Sequence, residues 1–316
     1  CTDDSSAAAT ASDSYVLTVT NTNDAPTLAT AQADASTAED ALYTLDVSGN
    51  FADVDVGDSL SYTATGMPST MTMSTAGVLS GTPVNADVGA HTVVVTATDG
   101  TASVTDTFVV TVTNTNDAPT VTSALSDAST AEDGSYSLDA SSMCTDVDVG
   151  DSLAYTMSGA PSTLSIASGT ISGTPLNADV GAHTITVTCT DDSSAAATAS
   201  DSYVLTVTNT NDDPTVATAL SDASIDEDAA YSSDLSSNFA DVDVGDTLTY
   251  TATGLPGDLV MSTAGVISGT PVNADVGAYT IVVTATDDGA TPGVAVTDSF
   301  ELTVVNTDDP TQGSSV

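Results

Sequence analysis

Two short phrases recur along this chain, and both are built from oxygen donors. Asp-Val-Asp-Val-Gly-Asp stands at residues 53–58, 146–151 and 241–246. Asn-Thr-Asn-Asp-x-Pro stands at 21–26, 114–119 and 209–214, with a shorter Asn-Thr-Asp-Asp-Pro at 306–310. A glutamate recurs between them as Glu39, Glu132 and Glu227, and a further carboxylate as Asp99, Asp191 and Asp287. Such a set suits a hard cation: Ca2+ takes about six to eight oxygens from carboxylates, amides and backbone carbonyls. Side chains two apart on an extended strand point the same way, so Asp53 and Asp55 can share one ion. The linker Asn114-Thr115-Asn116-Asp117 adds amide, carboxylate and carbonyl oxygens.

Composition narrows the possibilities. The 316 residues include 44 acids and neither Lys nor Arg, for a formal net charge of −44. Forty of the acids are Asp and four are Glu. Glu favours helices, whereas Asp favours turns, caps and metal loops, so the bias points to loops with oxygen-ligand work. Adaptation of the surface to salty water is the alternative reading and can coexist with it. With no basic surface to neutralise phosphates, nucleic-acid binding is excluded. No polybasic segment can adhere to anionic lipid, and no Lys nucleophile or Arg clamp exists for catalysis. Two carboxylates ~4 Å apart repel by roughly 4 kcal/mol at an effective dielectric of 20, so cations from solution must balance any acid cluster. Hydrophobic residues make up 40% of the chain and mean hydropathy is +0.12, so this is no disordered polyacid. No apolar run approaches the ~18 residues of a membrane span, and direct membrane insertion is not expected.

The elements that must carry these loops follow from the repeats. Pro26, Pro119, Pro214 and Pro310 are about 95 residues apart, and the same landmarks recur between them, including Ser-Gly-Thr-Pro (80–83, 172–175, 268–271) and Asn-Ala-Asp-Val-Gly-Ala (85–90, 177–182, 273–278). The period suits a string of small domains. The expected organisation is three repeats, 26–118, 119–213 and 214–309, with 310–316 a tail or the start of a next one. Residues 1–27 repeat 189–215 with one change, Ala25 against Asp213. Residues 1–25 therefore read as the C-terminal strand or strands of a preceding, truncated repeat in a longer array. Alternation with period two dominates each repeat. In the first, strands are expected near 42–47, 60–65, 71–74, 77–80, 91–98 and 104–113, with a leading strand after Pro26. About seven short strands without an amphipathic helix fit a two-sheet antiparallel sandwich. The fold class expected is all-β: tandem antiparallel β-sandwich domains of Ig-like type, as beads on a string.

Two further features concern the core. Asp275-Val276-Gly277-Ala278-Tyr279 has the form of a tyrosine corner before a penultimate strand. His91 and His183 take the Tyr position in the other repeats and read as corner residues with a bonded ring nitrogen. Cys144 stands where the sister repeats have Phe51 and Phe239, and Cys189 where they have Ala97 and Ala285. A large–small apolar pair has become Cys–Cys, which points to a disulfide across the core and an oxidising compartment. Two buried free thiols are the alternative.

The pattern resembles cadherin-type repeats, most closely the bacterial and dystroglycan-type cadherin-like, He_PIG-like domains of large surface proteins. The linker resembles an Asp-x-Asn-Asp-Asn-x-Pro signature. The Asp-x-Asp-x-Gly phrase followed by Tyr62, Tyr155 or Tyr250, the early Glu, the late Asp99 and the Gly-x-x-Ser-Gly-Thr-Pro stretch are similar too. The resemblance spans residues 26–310 and implies Ca2+ at the joints between repeats. Carried over by position, the first joint would use Glu39, Asn114, Asn116, Asp117, Asp146, Asp148 and Asp191. The second would use Glu132, Asn209, Asn211, Asp212, Asp241, Asp243 and Asp287. A half-site at the start would have Asn21, Asn23, Asp24, Asp53, Asp55 and Asp99. Asp87, Asp179 and Asp275 lie where cadherins place a further glutamate, although the corner motif accounts for them equally well. The chain departs from the family in carrying Asn as the first linker residue and in the shortened last linker, and Thr311–Val316 no longer follows the pattern.

The function expected is that of a non-enzymatic, extracellular or cell-surface structural array, such as a stalk, adhesin shaft or fibre segment. Ca2+ would stiffen its joints, and chelation would leave it limp and protease-open. The alternative is an adhesion module that binds a surface glycan or self-associates through Ca2+-dependent contacts. Trp is absent and aromatics are 4%, so a sugar-stacking platform is hard to find. Catalytic arrangements are missing as well: there is no Gly-x-Ser-x-Gly and no His/Cys cluster. The paired acids that could mimic a glycosidase dyad recur in every repeat, which catalysis would not require.

Overall fold

The computed structural model describes residues 1–2, 4, 6–7, 9–193, 195–243, 245–289 and 293–307. The end of the last linker phrase and the tail, from 308 on, lie outside the described residues. The chain divides into two compact units. One holds residues 1–119 with the loops 146–152 and 191–197; the other holds 120–145, 153–190 and 198–316.

In the first unit, nine strands build one sandwich: β1 (Thr27–Leu28), β2 (Ala35–Ala38), β3 (Tyr43–Asp46), β4 (Phe51–Ala52), β5 (Ser61–Thr65), β6 (Thr72–Met73), β7 (Val78–Gly81), β8 (Gly89–Thr98) and β9 (Ser103–Thr113). A four-stranded sheet runs β2-β9-β8-β5, a three-stranded sheet runs β3-β7-β6, and β1 pairs with β4. The alternation read from the sequence sets the core. Val93, Val95 and Ala97 from β8 and Phe108 and Val110 from β9 are buried with Leu79, Met71, Val47, Phe51 and Tyr62. Val and Thr dominate because β-branched side chains fit a pleated, half-buried surface.

Two elements were not legible as strands. β4 is two residues long, and β2 joins β9 in parallel, with Ala35 opposite Val110 and Ala38 opposite Thr113. The leading segment thus changes sheets, pairing first with β4 and then with β9. Aspartates pin the crossing: Gln32 N–H donates to Asp106 Oδ2 at 2.6 Å, and Val109 N–H to Asp34 Oδ1 at 2.8 Å.

The second unit repeats this plan. In the second repeat, β10 (Thr120–Val121), β11 (Ala128–Ala131), β12 (Tyr136–Asp139), β13 (Cys144–Thr145), β14 (Ala154–Ser158), β15 (Leu164–Ala167), β16 (Thr170–Gly173), β17 (Gly181–Thr190) and β18 (Thr198–Thr208) form sheets β11-β18-β17-β14, β12-β16-β15 and β10-β13. The third repeat follows with β19 (Thr215–Val216), β20 (Ala223–Asp226), β21 (Tyr231–Asp234), β22 (Phe239–Ala240), β23 (Thr249–Thr253), β24 (Leu259–Met261), β25 (Val266–Gly269), β26 (Gly277–Thr286) and β27 (Ala295–Val305). Cys144 and Cys189 form a disulfide with their Cα atoms 6.6 Å apart, both in the core. In the sister repeats a phenylalanine takes the place of Cys144 and packs on a tyrosine, Phe51–Tyr62 at 5.7 Å and Phe239–Tyr250 at 5.8 Å between centroids. Cys1 is exposed and free.

The corner reading holds at His91 and His183 but not at Tyr279, whose hydroxyl makes no hydrogen bond among the described residues, and it decides the role of Asp87. Its buried carboxylate accepts from Ser69 N–H and Oγ (2.7 Å each), Thr70 Oγ1 (2.8 Å) and Val84 N–H (3.3 Å). Asp179 and Asp275 hold the same loop in their repeats, through Thr163 and Leu176 and through Gly257 and Val272. His91 Nε2 lies 2.7 Å from the Asp87 carbonyl, as His183 Nε2 does from that of Asp179. The partner is an acceptor, so Nε2 carries the proton. Burial alone would raise the Asp87 pKa, but the Ser69 and Thr70 hydroxyls and two backbone N–H groups outweigh it and hold the carboxyl at about 2, against an ordinary 3.8. A depressed folded pKa stabilises above the unfolded value and loses that stability as pH falls through the folded one. In metal-free protein the Asp87 contribution should therefore be intact above pH 3.8 and vanish on descent to about pH 2. An acid titration followed by circular dichroism checks this: Asp87→Asn should flatten that limb while lowering stability at neutral pH.

Candidate metal centre

The second unit contains the fuller acidic cluster, assembled from five loops. The linker 209–214 leaves β18, the loop 241–246 follows β22, Glu132 follows β11, Asn177 opens a short 3-10 turn after β16, and Asp287 follows β26. Backbone and amide donors fix half of the oxygens. Thr210 N–H donates to Glu132 Oε1 at 2.6 Å, Asp212 N–H to Asp243 Oδ2 at 2.7 Å, and Asp243 N–H to Asp241 Oδ1 at 3.0 Å. Asn211 Nδ2 donates to Asp287 Oδ2 at 3.3 Å, and Asn177 Nδ2 to both Asp212 Oδ2 (3.1 Å) and Asp243 Oδ1 (2.9 Å). The other oxygens have no donor: Glu132 Oε2, Asp241 Oδ2, Asn211 Oδ1, Asp246 Oδ2 and Asp287 Oδ1 are buried and unpartnered. Oxygens of Glu132, Asp212 and Asp243 lie within 4.8 Å of one another, as do those of Asp241, Asp243 and Asp246.

The first unit contains the counterpart. Thr115 N–H donates to Glu39 Oε1 and Asp117 N–H to Asp148 Oδ2, both at 2.8 Å. Asn116 Nδ2 reaches Asp191 Oδ2 at 3.0 Å, and Asn85 Nδ2 reaches Asp117 Oδ2 (3.1 Å) and Asp148 Oδ1 (2.8 Å). Glu39 Oε2, Asp146 Oδ2 and Asn85 Oδ1 are buried and unpartnered. The Asn114 amide end lies 3.2 Å from both Glu39 Oε1 and Asp148 Oδ1. It can present NH2 to the two carboxylates, or its oxygen to a cation that they share. Asp191 differs from Asp287 in that the Ser193 hydroxyl satisfies its Oδ1 at 2.7 Å. That bond, with the one from Asn116, lowers its pKa.

A third, partial cluster at the start repeats the design. Asp24 N–H donates to Asp55 Oδ2 at 2.7 Å, Asn23 Nδ2 to Asp99 Oδ2 at 3.1 Å, and Asp53, Asp55 and Asp58 converge within 4.8 Å. Asn21 and Asn209 are exposed and make no hydrogen bond to the clusters among the described residues.

Two groups of site residues escaped sequence reasoning. Asn85 and Asn177 sit in the Asn-Ala-Asp-Val-Gly-Ala phrase, noted only for its corner. The third acid of the Asp-x-Asp-x-Gly-Asp phrase (Asp58, Asp151, Asp246) joins the first two because Gly57, Gly150 and Gly245 take φ near +106° to +110°, which turns the loop back. Glu227 repeats the geometry of Glu39 and Glu132, with Oε1 accepting from Thr307 N–H at 2.9 Å and Oε2 buried and unpartnered.

Sandwiches of this topology with acid-rich loops at their ends define a chain of tandem cadherin-like, Ig-like repeats. The chain belongs to the He_PIG family, described as "Putative Ig domain", whose model matches residues 25–113, 118–208 and 213–305. No curated protein matches it. Among solved structures it is similar to mouse cadherin-23 EC22-24, with TM-score 0.57, 20% identity, 88% of this chain covered and 96% of that one. It is also similar to the extracellular cadherin domains 1–5 of protocadherin gamma B2, with TM-score 0.59, 16% identity, 92% of this chain covered and 62% of that one. At such identities the likeness shows the fold. Among the described residues no helix is long and apolar enough to cross a membrane.

Proposed function

We propose that this chain is part of an extracellular structural array whose inter-repeat loops take up Ca2+ and are stiffened by it. One observation carries the reading. All ten buried side-chain polar atoms without a partner, among the described residues, are oxygens of Asp, Glu or Asn in these loops. A buried unpartnered polar group costs about 1–3 kcal/mol, more if charged, so ten at the same kind of place call for a shared partner. The chain has no Lys or Arg to supply one.

The donor set selects the partner. Carboxylate, amide and carbonyl oxygens without His or Cys suit a hard cation, and an irregular set of more than about six suits Ca2+ better than Mg2+, which keeps its own waters. In the second joint Glu132, Asn211, Asp212, Asp241, Asp243 and Asp287 would hold it; in the first, Glu39, Asn114, Asn116, Asp117, Asp146, Asp148 and Asp191. Bound ions would turn mutual repulsion into attraction between loops of successive repeats and so restrict their motion. The disulfide and the millimolar calcium such loops require both belong to an oxidising, extracellular setting.

The glutamates supply the test. Trypsin has no site here, and three of the four Glu residues, Glu39, Glu132 and Glu227, are 2%, 2% and 4% exposed within the loops. A glutamate-specific serine protease should leave Glu39 and Glu132 of the calcium-loaded chain uncut, whatever it does at the exposed Glu301, and cut after both once EDTA is added. Equal cleavage at those two with and without calcium would rule the reading out.

A further inference from the structure

We propose that Asp246 is itself a cation ligand, which gives the Asp241–Asp243 position of the second joint a third converging carboxylate. This deepens the calcium reading above and rests on it. The ligand set carried over from the cadherin-type pattern stops at the first two acids of the phrase, Asp241 and Asp243, and does not include the third.

Several observations place Asp246 on the ion. Asp246 N–H donates to the Asp243 carbonyl at 3.4 Å, and Gly245 with φ +110° folds the loop so that Asp246 returns over Asp241 and Asp243. Its Oδ2 is buried and unpartnered. A β-carbon on Gly289 would collide with both Asn211 Oδ1 and Asp246 Oδ2, so these two donorless oxygens converge on one point above the Gly289 backbone. Asp287, 4% exposed, adds a third such oxygen, and its charge acts on Asp246. Two acceptors brought together at burial with no hydrogen between them repel unless a cation lies between them.

Asp288 provides the contrast. It stands beside Asp246 and carries the same charge, but both of its oxygens are taken by Thr247, at 2.8 Å from N–H and 2.7 Å from Oγ1. It positions the loop, and Asp246 is left to bind. In the first unit Asp151 holds the equivalent place beside Asp146 and Asp148, with Asp192 bonded to the Ser152 hydroxyl at 2.8 Å.

The test is calorimetric titration of the full chain with CaCl2 at fixed ionic strength, for wild type, Asp246→Asn and Asp288→Asn, with thermal midpoints in calcium and in EDTA. Asp246→Asn should weaken one class of site by about tenfold or more, since ligand charge tunes these affinities, while Asp288→Asn changes little. Its midpoint should fall in calcium and rise or hold in EDTA, where one repelling charge has been removed. Asp246→Asn binding like wild type, weakening no more than Asp288→Asn, or a midpoint that falls equally in EDTA would each overturn the proposal. A wild-type chain that binds no calcium would overturn the underlying reading instead.

Discussion

Moving the chain from EDTA into about 10 mM free calcium should raise its thermal midpoint by at least ~10 °C. The size follows from linkage: a site filled at one hundred times its Kd stabilises the folded state by ~2.7 kcal/mol. Extracellular modules at the tight end of their range, ~10⁻⁴ M, meet that condition. For a domain of this size 1 kcal/mol moves the midpoint by ~4–8 °C. Two effects have to be separated, because any salt screens a net charge of −44. Scanning calorimetry at matched ionic strength, with sodium and magnesium as controls, separates them. A calcium shift below ~2 °C, or one that magnesium reproduces, would mean that the converging oxygens hold no calcium and that the joints are merely acidic.

The second large effect belongs to the disulfide. Replacing Cys144 and Cys189 together by Ala should cost the second repeat about 4 kcal/mol on the loop-entropy model for a closed loop of 45 residues. Only the second repeat carries the bridge, so only it should melt early, as a separate transition. The sister repeats suggest a companion: Cys144→Phe with Cys189→Ala installs the pair found as Phe51 and Ala97. That variant should regain packing but not the cross-link, and fall between the two. The sulfurs lie in a core where Cys144 is 4% and Cys189 0% exposed, so reductant should act only when the repeat opens. Fast reduction of the native chain, or an unchanged melting profile in the double Ala variant, would contradict this.

The acidity was only partly legible. The Asp bias reads as ligand work, yet in each repeat four aspartates serve the backbone. Asp34, Asp46, Asp87 and Asp106 accept from N–H groups of Val109, Ser48, Ser69 and Gln32, and their counterparts do likewise. A short carboxylate satisfies a nearby N–H at a bend, the property that also makes it a metal ligand, so composition cannot separate the two uses. The unpartnered oxygens can. Asn85 was hidden for another reason: it meets Asp117 and Asp148 across 32 and 63 residues of chain.

The sequence alone determined the repeat length, the alternation that sets each inward face, the Cys pair that replaces Phe and Ala, and the phrases that reach the joints. These are local or periodic facts, carried by side-chain order along one strand or turn. Tertiary structure alone decided which strands pair. Thr-Ala-Ser-Asp-Ser-Tyr-Val-Leu-Thr-Val-Thr occurs twice, at 10–20 and 198–208. At 198–208 it is β18, paired with β17 and β11, and Tyr203 and Leu205 are buried. At 10–20 it forms no strand beyond a bridge from Thr10 to Thr2, and Tyr15 and Leu17 are 88% and 76% exposed. The letters are identical; the difference is the neighbours. A strand has no hydrogen bonds of its own and buries nothing until another sheet covers it, so its state is a property of the partners that the fold supplies.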